Sequence, residues 1–192
     1  MGARVTISIQ IPELWTIKDS QITALDTIAL IRSRVYAGKD TSDRPFKEYS
    51  ERPIYISYQA NLPPKGGEET PKGVYYKGGY REYKRKSRRY TPGGKNQTAE
   101  VDLTLSGNLM NNLITTNATR TSYSIGLSSK VRSYGYDVHR ERPFIGLSKS
   151  DQRVLTNAIA ARMRKKLSPL GYGYKEQKSF MSSINKAIGG RK

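Results

Sequence analysis

Between residues 39 and 100 this chain cannot run as one long helix or one long strand. Six of its nine prolines stand there, at 45, 53, 63, 64, 71 and 92, and glycine pairs fall at 66–67, 78–79 and 93–94. Proline removes a backbone donor and fixes φ, and paired glycines mark turns. A regular core must therefore come mainly from the residues on either side. Yet the stretch is not composed like a disordered linker, which is poor in aromatic residues. It holds Tyr49, Tyr55, Tyr58, Tyr75, Tyr76, Tyr80, Tyr83 and Tyr90 out of 14 tyrosines in all. The composition predicts a long surface arm over 44–100, with short extended pieces at 54–58 and 73–76. Tyrosine suits such an arm to docking, because it offers apolar area and a hydroxyl at low entropic cost.

The flanks carry the periodic signals. Residues 4–11 alternate strictly, with Val5, Ile7, Ile9 and Ile11 on one face, which predicts a half-buried strand ended by Pro12. Trp15 follows as a core or interface plug. Residues 20–37 predict an amphipathic helix with Ile22, Leu25, Ile28, Ala29, Val35 and Tyr36 inward, capped by Asp19 or Ser20 and stopped by Gly38. After the arm, 101–105 alternates again and predicts a strand. Ser106 then caps a short helix over 107–114, with Leu109, Met110 and Leu113 inward, and 121–127 predicts a second strand. Residues 128–141 read as a polar connection. Pro143 stiffens the entry to a helix over 150–167, started by Ser148 or Ser150, whose buried face is Val154, Leu155, Ala158, Ile159, Met163 and Leu167. A weak helix over 175–188 carries Phe180, Met181, Ile184 and Ile188 on one side.

These parts fit an α+β fold: one small, mostly antiparallel sheet against two main helices, with a long extended arm and a C-terminal tail. Residues 1–167 make a single core domain containing the arm, and 168–192 a C-terminal extension. Leu105, Leu109, Phe144 and Leu147 are the expected core anchors.

Composition narrows the function classes. The chain of 192 residues has 34 Lys+Arg against 16 Asp+Glu, a net charge of +18, no cysteine and a single histidine. Without cysteine there are no thiolate metal sites, iron–sulfur clusters, disulfides or Cys nucleophiles. His139 alone would have to serve any His-dependent catalysis or metal site, and a surface or packing role is its default. The acidic pairs Asp40/Asp43, Glu48/Glu51 and Glu68/Glu69 lie beside turn residues, where carboxylates cap or solvate turns. Gly171, Gly173 and Lys175 lack the spacing of a phosphate-cradling loop. No catalytic, cofactor-binding or metal-binding residues are expected, and the chain is expected not to be an enzyme. No apolar run is long enough to cross a membrane, and the opening residues show no apolar core of a signal peptide.

One cluster stands out. Arg81, Lys84, Arg85, Lys86, Arg88 and Arg89 place six cations in nine residues, interleaved with Tyr80, Tyr83 and Tyr90. Charge can neutralise phosphates and tyrosine rings can stack on bases. The same cluster also fits a solvated face or a strip for an acidic protein neighbour. Tyr80, Arg81, Tyr83, Lys84, Arg85, Lys86, Arg88 and Arg89 are therefore candidate partner or DNA contacts.

Three segments, in order, resemble a known family. They are Asp43-Arg-Pro-Phe-Lys-Glu-Tyr-Ser50; Gly79-Tyr-Arg-Glu-Tyr-Lys-Arg-Lys86 followed by Val101-Asp-Leu-Thr-Leu-Ser-Gly-Asn-Leu-Met110; and Glu141-Arg-Pro-Phe-Ile-Gly-Leu-Ser-Lys-Ser-Asp151. Their order and their placement around two helices resemble the tailed-phage virion morphogenesis proteins, the Mu-like tail-completion and head-to-tail joining proteins. The resemblance spans about 20–167, with an insertion near 53–78. It implies a structural subunit, a tail terminator or head–tail adaptor, in a ring of six or twelve copies around the DNA channel. It further implies contacts with other neck, portal-side or tail-tube proteins, non-specific contact with DNA, and a place in the virion neck after assembly in the host cytoplasm. The net charge separately suggests an alternative, a basic nucleic-acid-binding protein of packaging-associated or ribosomal type.

Overall fold

The computed structural model describes residues 5–8 (backbone), 14–60, 62–87, 101–168 and 182. The chain is an α+β fold, and its helices are built around two small antiparallel sheets rather than one. The first sheet has the order β1-β6-β5, with β1 Val5–Ser8, β5 Leu113–Ala118 and β6 Ser122–Leu127. Its middle strand is covered on both faces: Tyr123, Ile125 and Leu127 point one way and Ser124 and Gly126 the other, all buried.

Helix α1, Ile17–Tyr36, packs on this sheet. It starts earlier than its apolar pattern predicts, because Thr16 is the N-cap. The Thr16 hydroxyl accepts the Asp19 N–H, and the Asp19 carboxylate accepts the Thr16 N–H at 2.8 Å. Asp19 is thus the third residue of a capping box, not the cap itself. Gly38, at φ 74°, ends the helix as expected. Trp15 is buried, its indole N–H donating to Ser20 Oγ at 3.0 Å.

Helix α5, Lys149–Leu167, also opens on a capping box, Ser148 with Asp151. It runs antiparallel to α1. The buried Arg34–Asp151 pair ties one end, and Arg162 with Asp26 and Lys166 with Asp19 tie the other. Leu155, Ile159, Met163 and Leu167 are buried as expected, Ala158 is half-buried, and Val154 faces outward. Phe144 is fully buried, Leu109 is buried, and Leu147 packs on the core.

The region expected as an open arm is folded where it is described. Its two extended pieces are strands, β2 Ile54–Ser57 and β4 Gly73–Tyr76. With β3, Glu68–Thr70, they form the second sheet, in the order β2-β4-β3. The prolines and glycines serve its turns: Pro71-Lys72 links β3 to β4, and Gly66-Gly67 leads into β3. Helix α2, Gly79–Ser87, lies against this sheet and buries Val74, Tyr76 and Tyr83 in a small second core, on which Leu105 also packs.

Three other expectations give way. Residues 101–105 are not a strand: Leu103 has φ 52°, and Asp102 Oδ1 accepts the Thr104 N–H at 3.1 Å, which turns the chain. The short helix α3 covers only Asn108–Asn111, because Leu113 already belongs to β5. The connection 128–141 contains helix α4, Arg132–Glu141. Its buried contact is Gly135, where a Cβ would stand 2.3 Å from Leu127 Cδ1, so it approaches the sheet through a missing side chain rather than an apolar stripe. The proposed helix 175–188 lies outside the described residues, apart from Ser182.

Candidate functional site

The cluster that stood out in the sequence becomes α2, and helical geometry divides it. Residues three and four apart share a face. Tyr80, Tyr83, Lys84 and Ser87 therefore turn inward, while Arg81, Arg85 and Lys86 turn outward. Gly79 sets the entry. Its φ of 66° suits glycine, and a Cβ there would stand 2.4 Å from the Arg52 carbonyl oxygen. Glu82 closes the first turn by accepting the Gly78 N–H at 2.8 Å.

Of the expected contact residues, two are corrected outright. Tyr83 is buried, with its hydroxyl donating to the Leu62 carbonyl at 3.1 Å. Lys84 is 2 % exposed and its ammonium meets Asp102 Oδ1 at 2.5 Å, with Asp102 itself fully buried. Neither can offer a ring or a charge to an outside partner. Tyr80 is half-buried; Arg81 pairs with Glu51 at 2.6 Å and Lys86 with Glu82 at 2.5 Å, all near the surface. Arg85 is exposed. Arg88 and Arg89 lie outside the described residues.

Lys84 belongs to a buried polar centre that also takes in Tyr49. The Tyr49 hydroxyl accepts from Lys84 Nζ and from the Leu103 N–H, and the Lys84 ammonium lies 4.2 Å from the Tyr49 ring centroid. Burial pushes the Tyr49 phenol well above its ordinary pKa, so it stays protonated. For Asp102, burial pulls the pKa upward. The Lys84 hydrogen bond and charge, with the bonds from Thr104, outweigh it and leave the carboxyl below its usual range. A ladder of rings runs from here into the second core: Tyr49 and Tyr80 at 5.3 Å, Tyr80 and Tyr83 at 5.8 Å, Tyr83 and Tyr76 at 5.3 Å between centroids.

Beside this centre lies a cleft of about 580 Å³ between α2, the 103–109 turn and α4. Leu62, Leu105, Leu109, Val138, Tyr80 and Tyr134 give it apolar walls. Arg142 at its rim is held internally, donating to the Lys47 and Glu48 carbonyls at 3.1 Å each. Arg142 also pairs with Glu141 at 3.5 Å and Lys84 with Asp102, so the charged groups lining the cleft have partners within the chain, and what it presents is mainly apolar and aromatic surface. That is the chemistry of a docking cleft for an apolar side chain or loop.

His139 is part of the scaffold. Its Nδ1 accepts the N–H groups of Phe144 and Ile145 at 3.1 and 3.2 Å, and its ring meets Phe144 edge-on. This places the neutral ring's proton on Nε2. Burial lowers its pKa from the ordinary histidine value. Among the described residues, no group of three or more His, Asp or Glu side chains could hold a metal ion. No helix among them is long and apolar enough to cross a membrane.

Sequence reasoning missed Tyr49, Asp102 and Arg142. A signal for one of them was present: Asp102 is a lone acid between Val101 and Leu103, and a lone acid in an apolar run needs a buried cation. Comparison of the chain with known protein families, with characterised proteins and with solved structures gave no match.

Proposed function

We propose that this chain is a structural subunit of the neck or tail-completion ring of a tailed bacteriophage, acting as a tail terminator or head–tail adaptor with no catalytic role. One observation carries the reading: the three segments behind the family resemblance, far apart in sequence, meet at one junction. Asp43 accepts from the Ser150 hydroxyl at 2.7 Å and from the Ser150 N–H at 3.3 Å, joining the first segment to the third. Arg142 bonds the Lys47 and Glu48 carbonyls, joining the third to the first again. Tyr49 joins the first to both parts of the second through Lys84 and Leu103. Residues whose side chains lock onto one another serve a scaffold. The surface left open around them, an apolar cleft and an outward row of cations, suits protein neighbours and the nearby DNA.

The test is quantitative mass spectrometry of purified virions, counting this chain against the major capsid protein. On the order of six to twelve copies per particle is the expected result for a closed ring. Hundreds of copies would make it a tube or shell component, and absence from virions would overturn the reading.

The net charge of +18 favours a second reading, a nucleic-acid-binding protein. Six or more phosphate contacts would cost roughly 10³-fold in affinity between 50 and 200 mM salt. The burial of Tyr83 and Lys84 weakens this reading, since it removes a stacking ring and a cation from the surface.

A further inference from the structure

The two main helices turn different chemistry outward. On α1 the residues Ile22, Leu25 and Ala29, expected to face inward, are exposed, so its outer side is apolar. On α5 the outer side is cationic. Lys149, Arg153, Asn157, Ala161 and Lys165 recur at every fourth position and all are exposed, with Arg164 exposed beside the last. Such a row is a continuous ridge on a helix surface, here about 24 Å long at 1.5 Å per residue.

No acid stands on this ridge. Asp151 is the one acidic residue of α5, and it is buried against Arg34. The acids that reach α5 from other elements are engaged off the ridge: Asp26 holds Arg162, Asp19 holds Lys166, and Asp43 accepts from Ser150. Lys149, Arg153, Arg164 and Lys165 make no ion pair among the described residues. On α2 and α4, by contrast, acids answer outward cations: Glu51 with Arg81, Glu82 with Lys86, Asp137 with Arg140. The rest of the chain brings no counter-charge, since the residues outside the described ones hold nine Lys or Arg against three Glu. Helix stability does not ask for the whole set either. Arg164 and Lys165 suit the dipole at the C-terminal end, but Lys149 stands in the first turn, where the dipole disfavours a cation.

We infer that the outward ridge of α5, through Lys149, Arg153, Arg164 and Lys165, binds the phosphate backbone of double-stranded nucleic acid. The chemistry separates this partner from others. A protein interface centres on aromatic and apolar anchors and is depleted in lysine. The ridge holds no aromatic residue, and Val154 is the one exposed large apolar residue of α5. Single strands are held by rings on which bases stack, and the same lack of aromatics argues against them. Two cations stand at each end of the ridge, and the short side chains of Asn157 and Ala161 between them let the helix lie close to a polyanion. A polar and strongly positive face is the composition of nucleic-acid interfaces. The inference deepens the nucleic-acid reading above, rests on it for the ligand class, and moves its site from α2 to α5. It holds with or without the ring.

The test is fluorescence anisotropy of the full-length chain with a labelled, mixed-sequence DNA duplex of about 20 base pairs, over roughly 50 to 200 mM sodium chloride. Four phosphate contacts contribute a slope of about −3.6 in log affinity against log salt, roughly 10²-fold over that range. Lys149→Gln/Arg153→Gln/Arg164→Gln/Lys165→Gln should lose that share of the slope. The half variants Lys149→Gln/Arg153→Gln and Arg164→Gln/Lys165→Gln should each lose about half of it. All four residues are exposed and glutamine keeps helix propensity, so the fold should persist by circular dichroism. Arg52→Gln/Lys65→Gln/Lys72→Gln/Arg85→Gln removes the same charge from exposed positions around the second sheet and α2, and should keep the slope to within about one contact. Equal loss in the two quadruple variants, or an unchanged slope in the α5 variants, overturns the inference and leaves a nucleic-acid-binding chain with its site elsewhere. No binding of the duplex at the lowest salt, or displacement by polyglutamate as effective as by unlabelled duplex of equal charge, overturns the inference and the nucleic-acid reading together.

Discussion

Removing one partner of the Lys84–Asp102 pair should be far more damaging than removing both. The pair is 2 % and 0 % exposed, at 2.5 Å. Lys84→Met leaves the Asp102 carboxylate in the interior without its ammonium, and it takes a donor from Tyr49 as well. Breaking a buried pair in this way costs about 3–5 kcal/mol. A domain of this kind holds roughly 5–15 kcal/mol in total, so the variant should be close to unfolding. With a urea slope of about 2 kcal/mol/M, the midpoint should fall by roughly 2 M. Asp102→Leu should behave similarly. The double variant Lys84→Met/Asp102→Leu replaces both charges with apolar groups and should recover most of the loss, giving a coupling above about 2 kcal/mol. Acid titration is a second check. Because the Asp102 carboxyl is depressed in the folded state, its contribution is present above the unfolded value of about 3.9 and is lost as pH falls below it. Asp102→Asn should remove that part of the acid slope. A single variant costing under about 1 kcal/mol, or a double variant costing the sum of both singles, would refute the claim that this pair is a buried and coupled centre.

Other outcomes follow from the same geometry. Gly79→Ala puts a Cβ 2.4 Å from the Arg52 carbonyl at a positive φ. It should lower thermal stability by more than about 1 kcal/mol, whereas Gly78→Ala, whose nearest neighbour is the Glu82 side chain at 3.1 Å, should cost less. His139→Ala leaves two N–H groups without their acceptor and should cost about 1–3 kcal/mol in urea unfolding. Its pKa is depressed when folded, so the native protein should lose stability as pH falls below about 6.5, and the variant should lose that dependence. Thr27→Val removes the 2.8 Å bond to the buried Tyr123 hydroxyl, whose pKa burial pushes up to about 12. A loss of about 1–2 kcal/mol is expected by calorimetry, with Tyr123→Phe/Thr27→Val milder than the sum of the two single variants.

The legible parts of this fold were those where side chains repeat. The strand around 121–127, the helix over 150–167 and its Ser148 start all follow from periodicity and capping. The illegible parts are those decided by contacts across the chain. Val101 to Leu105 alternates like a strand, but Asp102 is drawn inward by Lys84 and forces a turn at Leu103. Helix α4 has no wide apolar stripe because its contact is Gly135 against Leu127. The expected open arm gives way for a related reason. Its prolines and glycines do break regular structure, but they break it into the turns of a small sheet, and the tyrosines supply that sheet's core.

Helix α1 shows where hydrophobic pattern reaches its limit. Its apolar residues do trace a helical face, and part of that face is buried. The surface pressed on the sheet and on α5, however, is largely Ser20, Thr23, Ala24 and Thr27, together with Ile28, Ile31 and Val35. Hydroxyls can be buried there because the helix satisfies them itself: Thr23 Oγ1 donates to the Asp19 carbonyl at 2.8 Å and Thr27 Oγ1 to that of Thr23 at 2.9 Å. Small side chains let the neighbouring elements approach, and Ile22 and Leu25 are left on the outer side. A sequence pattern reports that a face is apolar but not what covers it, since core and interface ask for the same residues. Serine and threonine on the opposite face are the sign that separates the two cases here. When the polar face of an amphipathic helix is built from small hydroxyl residues, that face can serve as the core side, and the apolar face is then free for a partner.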